Sequence, residues 1–165
     1  MEVNQPKSPL TVTFTCEGRA VGKMRNELDV TMSEPMVERF SMATDEGPFH
    51  GGDATAPPPL AYFIAGLTGC IMTQIRAFAK RMDVGVDDLT VNAEARWQWT
   101  PKGRIYETAP KSFHVDVVLV SPSPLEDQIA LIQAAKKGCF IEQTLGQANT
   151  ITHRIKSGES FVVVD

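Results

Sequence analysis

Cysteine is scarce in this 165-residue chain: Cys16, Cys70 and Cys139 are the three. An odd number so widely spaced argues against the disulfide framework of a small secreted domain. No CxxC pair occurs, so neither a thioredoxin-type motif nor a zinc knuckle is present. The three histidines, His50, His114 and His153, fall in neither HxxxH nor HExxH spacing, and no metal is expected. "GGDATAPPP" lacks the GxGxxG and GK[ST] patterns of phosphate loops, and no cofactor is expected. No Ser-His-Asp signature stands out. Positive charge is not in excess: the formal net charge of −4 weighs against nucleic-acid or anionic-membrane partners. No apolar run approaches the roughly 18 residues of a membrane span, and "MEVNQPKSPL" has no signal-peptide core. A cytoplasmic location is expected. There, free cysteines serve either packing or redox chemistry.

What is present fits one domain spanning 1–165, with 42% hydrophobic and 22% charged residues. The N-terminal part reads as an antiparallel meander. In "TVTFTCEG", Val12, Phe14 and Cys16 share a face, which makes Cys16 a small packing hydrophobe. "KMRNELDVTM" alternates Met24, Leu28 and Val30 against charge, with Asn26 interrupting, and "PMVERFSM" supplies a third strand. The Gly/Pro-rich "ATDEGPFHGGDATAPPP" is a long loop, functional or poorly ordered. Its last three prolines suit the start of a helix.

That helix runs to Met82 and carries an apolar stripe of Leu60, Ile64, Leu67, Ile71, Ile75, Phe78 and Met82. Beside it lie Gly66, Gly69, Cys70, Thr73 and Ala77, small residues that predict a tightly packed neighbour. "LTVNAEARWQWT" alternates as a strand with Leu89, Val91, Ala93, Ala95, Trp97 and Trp99 on one face. "KSFHVDVVLV" is its antiparallel partner, with Phe113, Val115, Val117 and Leu119 toward the core. A second helix is expected after "SPSP", with Ser123 as N-cap and Gly138 as its stop. "CFIEQTLG" reads as a short helix and "NTITHRIKSGESFVVVD" as a closing hairpin. The sum is an α+β fold. A cysteine opening a helix lies in the field of unpaired amides, which favours thiolate. On that ground Cys139 is the more activated thiol, and Cys70, in mid-helix, gains little.

Three segments together resemble the OsmC/Ohr family of thiol-dependent peroxidases: "DEGPFHGGDATAPPPLAYFIAGLTGC", "KKGCFIEQTLGQANTITHRIK", and the order of elements around them. The resemblance implies antiparallel sheets around a long cysteine-bearing central helix, and two chains intertwined as a homodimer. It also implies that Cys70 attacks an organic hydroperoxide, that Cys139 resolves the product as a disulfide, and that an external dithiol restores both thiols. Leu60, Phe63, Leu67 and Phe140 would line the pocket. The chain departs from the family where a glutamate is common, at Leu60 and Ala61, and where a proline usually follows the second cysteine, at Phe140. Arg19 and Arg39 are candidates for the family's pocket arginine, and His50 and Glu142 for substitute polar partners. A second expectation of another class is a non-catalytic protein of this fold that binds a small apolar ligand at the dimer interface.

Overall fold

A computed structural model describes residues 8–164. The chain divides into two compact units, Met1–Phe63 and Ile64–Asp165.

The first unit is the expected meander. Strands β1 (Thr13–Val21), β2 (Arg25–Glu34) and β3 (Glu38–Thr44) pair in that order, all antiparallel. The register sets Cys16 opposite Val30 and Val30 opposite Phe40, so one apolar face forms as the alternation requires. On that face Cys16 is exposed, as are Val12, Phe14 and Phe40. Cys16 is therefore not core filler in this chain. Asn26, the interruption in β2, donates to Thr44 Oγ1 at 3.3 Å.

The long loop after β3 is closely tied rather than loose. Asp45 is 2% exposed. Its carboxylate accepts from Glu46 N (2.9 Å), Thr55 N (2.9 Å) and Thr55 Oγ1 (2.7 Å). Backbone bonds from Gly52 N to Gly47 O and from Ala54 N to Glu46 O close the loop on itself. Lys23 pairs with Asp53 at 2.8 Å and Arg25 donates to Thr55. Three donors on one carboxylate favour its charged form, and the Thr55 amide and hydroxyl hold Asp45 below the usual carboxylate value. A depressed pKa in the folded state stabilises above the unfolded value and is lost as pH falls through the folded one. Acidification below the ordinary carboxylate range, about pH 4, is therefore expected to loosen this loop. Asp45→Asn should already show the loosening at neutral pH, read as faster hydrogen exchange at Thr55. Equal protection of Thr55 in the two proteins at pH 7 would refute this role.

Helix α1 (Pro59–Met82) gives its first residues to the first unit and the rest to the second. By length and composition it is long and apolar enough to cross a membrane, which corrects the sequence expectation that no such run exists. Its buried residues, Leu67, Ile71, Ile75 and Ala79, follow a strict i+4 row. The sequence stripe ran instead through Phe78 to Met82, which is 39% exposed, and began at Leu60, which is 55% exposed. An i+4 ridge is what a helix offers to a neighbouring helix. The neighbour is α2 (Leu125–Gly138), which contributes a matching row of Leu131, Ala135 and then Cys139. With Val84, the α2 row and Ile71, Ile75 and Ala79 of α1 form the core of the second unit.

The hairpin of β4 (Asp88–Lys102) and β5 (Ile105–Val120) covers that core with Leu89, Val91, Val117 and Leu119. The pairing is Leu89 to Leu119, Val91 to Val117, Ala93 to Val115 and Ala95 to Phe113, so the two expected apolar faces coincide. A bulge between Arg96 and Trp97 shifts the register. Beyond it Trp99 is exposed and stacks edge-on with Tyr106, 4.7 Å between centroids. The short helix α3 (Phe140–Leu145) and the hairpin of β6 (His153–Ser157) and β7 (Ser160–Val164) complete the chain.

Two expected helix signals act differently. Ser123 does not cap α2. Its hydroxyl accepts from Gly85 N at 2.9 Å, tying the loop after α1, and Pro124 occupies the N-cap position. Gly138 is the last helical residue rather than a left-handed stop. A Cβ there would lie 2.6 Å from the Phe78 ring, so the absent side chain is what lets the end of α2 close on α1.

Candidate active site

The i+4 rows decide where the cysteines go. Cys70 sits one position before Ile71 and packs against the core from a half-buried place on α1. Cys139 ends the row on α2 and is wholly buried, 0% exposed. The two thiols lie near enough for Cys70 to raise the Cys139 pKa. Although 69 positions separate them in the sequence, the packing of two helices brings them together.

Cys139 is also the N-cap residue of α3. Its Sγ accepts from Glu142 N at 3.5 Å and its carbonyl from Gln143 N at 2.9 Å. The amides of α3 do favour its thiolate, as a helix start should, but they lose to two stronger effects. Burial comes first and the Cys70 thiol second, and together they push the Cys139 thiol up to about 11. The expectation that Cys139 is the more activated thiol is therefore corrected: at neutral pH it holds its proton. At pH 8 only about one Cys139 in a thousand is ionised. Brief treatment with iodoacetamide at that pH should label Cys16 and Cys70, both accessible, well before Cys139. Peptide mapping that finds Cys139 labelled ahead of Cys70 would contradict this geometry.

The small-residue face of α1 meets its neighbour only in part. Gly66 receives Ile141 of α3, whose Cδ1 would stand 3.2 Å from an added Cβ. Gly69 has nothing within 4 Å, and Thr73 spends its hydroxyl on the Gly69 carbonyl at 2.9 Å.

Next to this arrangement lies an open groove of about 520 Å³. It is lined by Leu67 and Ile71 of α1, Phe113, Val115 and Val117 of β5, Ile132 and Lys136 of α2, and Glu142, Leu145 and Gly146 at α3. Leu67 and Glu142, both named in the sequence reading, stand on this lining. Phe113 and Val115, which alternation marked as core, form a groove wall instead. Lys136, in the last turn of α2, brings a basic side chain to the lining. Phe140 turns outward, 62% exposed, over a shallow hollow with Gln143 and Asn149.

The remaining candidates belong to the first unit. Arg19 pairs with Asp29 at 3.3 Å on the exposed meander. Arg39 stands opposite Thr31 in β3. His50 closes a single turn of 3-10 helix, Pro48–His50, and meets Phe49 edge-on. Leu60 and Phe63 lie in the first turns of α1. Among the described residues no cluster of His, Cys, Asp and Glu could hold a metal ion.

A mixed α+β chain with antiparallel sheets, a long cysteine-bearing helix and a second cysteine packed against the first defines a class. This chain belongs to the OsmC-like protein family, whose model matches residues 51–154. It is 64% identical to an OsmC-like hydroperoxide resistance protein from Jannaschia sp. CCS1, whose crystal structure it matches with a TM-score of 0.66 over 93% of this chain and 98% of that one. Two more distant structures share the fold. An OsmC-like protein from Mycoplasma pneumoniae is 17% identical, with a TM-score of 0.59 over 82% of this chain and 87% of that one. An organic hydroperoxide resistance protein OsmC from Legionella pneumophila is 19% identical, with a TM-score of 0.52 over 81% and 88%. No curated protein matches the chain.

Proposed function

We propose that the chain is a cysteine-based peroxidase that reduces organic hydroperoxides and protects against oxidative stress in the cytoplasm. The observation that carries this reading is that a half-buried Cys70 packs against the core containing a wholly buried Cys139 and raises its pKa. The Jannaschia protein's description as a hydroperoxide resistance protein, at 64% identity, supports it.

The roles follow from the asymmetry. Cys70 is the accessible sulfur and the nucleophile. Its thiolate attacks the outer oxygen of ROOH, the O–O bond breaks, and the leaving alkoxide takes a proton to become the alcohol. Cys70 is left as a sulfenic acid. Cys139 loses its proton as its sulfur attacks Cys70, hydroxide leaves as water, and a disulfide forms. An external dithiol then returns both sulfurs to thiols by exchange. Burial suits the resolving role, because Cys139 is shielded from peroxide while lying against the one sulfur it must reach. The apolar groove favours an alkyl hydroperoxide over hydrogen peroxide.

We further propose that the working form is a homodimer. Exposed apolar side chains on both strands of the β6–β7 hairpin, Ile155, Phe161, Val162, Val163 and Val164, support this. A lone two-stranded hairpin is marginal in water.

Mass spectrometry before and after about one equivalent of cumene hydroperoxide tests the redox pair. Loss of two hydrogens mapping to a Cys70–Cys139 linkage is expected, and three untouched thiols would sink the proposal. The groove favours a second reading, a non-catalytic binder of a small apolar ligand. It predicts inert thiols together with a rise in Tm on adding an apolar ligand.

A further inference from the structure

Helix α3 has six residues, too few to hold itself together. Its N-terminus is fastened by Cys139, whose Sγ takes the Glu142 N–H and whose carbonyl takes the Gln143 N–H. Gln143 Nε2 reaches back to Lys136 O at 3.0 Å. From its turns, Ile141 fills the space over Gly66, while Glu142, Leu145 and the following Gly146 form one wall of the groove. The sulfur that caps α3 is thus the same sulfur that lies against Cys70.

The two tasks are incompatible in one geometry. A disulfide needs its sulfurs about 2.05 Å apart, with a torsion near 90° about the S–S bond. Both cysteines are free thiols in the reduced chain, so Sγ of Cys139 must swing toward Cys70 to reach that distance. The N–H to sulfur bond from Glu142, 3.5 Å in the free thiol, depends on where that sulfur sits. We propose that Cys139 is a redox-released helix cap: forming the Cys70–Cys139 disulfide unties the first turn of α3 and loosens the groove wall that Glu142, Leu145 and Gly146 make.

The inference rests on the peroxidase reading in one respect, that the disulfide forms. The hydroperoxide supplies the oxidation, Cys70 passes through sulfenic acid, and the oxygen leaves as water when Cys139 closes the bond. The reduced protein then presents a groove with its α3 wall intact to the hydroperoxide. The oxidised protein presents a loosened one beside the disulfide that the dithiol must reach.

Hydrogen exchange at Glu142 in the full chain tests this, in reduced protein and after cumene hydroperoxide, with the two-hydrogen mass loss measured on the same sample. The Glu142 amide should exchange about fivefold faster or more in the disulfide form, the scale on which loss of an N-cap is felt. Cys139→Ala, which has no cap in either condition, should be fast in both. Cys139→Ser, which keeps an oxygen acceptor but forms no disulfide with Cys70, should be slow in both. A disulfide with unchanged Glu142 exchange would overturn the released cap alone and leave the peroxidase standing. Cys139→Ala as protected as the reduced parent would overturn it too. Absence of the mass loss would overturn both together.

Discussion

Cys70→Ser is expected to reduce cumene hydroperoxide no faster than the dithiol alone. The loss should be about four orders of magnitude or more in kcat/KM, since it removes the proposed nucleophile of the covalent route. Oxygen is a poor substitute, because a serine hydroxyl is neither ionised near neutral pH nor prone to attack peroxide. The variant should stay folded, since Cys70 is half-buried beside the core rather than within it. Cys139→Ser should behave differently. It should consume one equivalent of peroxide, leave Cys70 as a sulfenic acid that dimedone traps, and turn over slowly if at all. Stopped-flow peroxide loss with dimedone labelling separates the two patterns. Undiminished turnover in Cys70→Ser would remove Cys70 from the chemistry altogether.

Gly52→Ala is expected to be the most damaging single methyl in the first unit. The added Cβ would run into the carbonyl of Glu46 and stand 2.9 Å from Asp45 Oδ1. Both are fixed, the carbonyl because it accepts from Ala54 N and the carboxylate because it holds the loop through Thr55. A collision with backbone cannot be relieved by a change of rotamer, so the loop must open. The cost is about 2–3 kcal/mol, read as a fall in Tm and early proteolysis within residues 45–57. Gly47→Ala is the control. It has nothing within 4 Å and a φ of −76°, so it should leave Tm nearly unchanged. Equal stability of the two variants would show that the Asp45 loop is not the tie it is argued to be.

Period-two alternation carries the sheet register in the sequence. In β4 and β5 the apolar residues pair with one another as written, from Leu89 with Leu119 to Ala95 with Phe113. The bulge falls on β5, where Lys111 is left without a partner beside Pro110, so the unbroken alternation of β4 does not show it and only that proline hints at it. The helix rows are only half legible. A stripe at 100° per residue is satisfied by Phe78 and Met82 as well as by Ala79, and the facing helix chooses between them. The same choice settles the thiols. A cysteine at a helix start reads as activated when only local amides are counted, and as inert once its place at the end of a buried i+4 row is known. Family resemblance assigned the attack to Cys70, and the burial of Cys139 supplies a physical reason for that order. Asp45 was hidden for another reason: its ligand, Thr55, sits ten residues away with the whole loop between them.

The β6–β7 hairpin has a consequence for the life of the chain before it is assembled. Its last strand carries Phe161, Val162, Val163 and Val164 in unbroken succession, so a one-residue slip in pairing changes almost nothing about which face is apolar. Register in such a strand is weakly specified, and an apolar, uncharged, proline-free segment of this kind pairs readily with copies of itself. If the proposed homodimer forms, newly made chains face a competition between pairing correctly and strand-to-strand aggregation. Its outcome should depend on how quickly the hairpin is covered, and so on how crowded the growing chains are with one another.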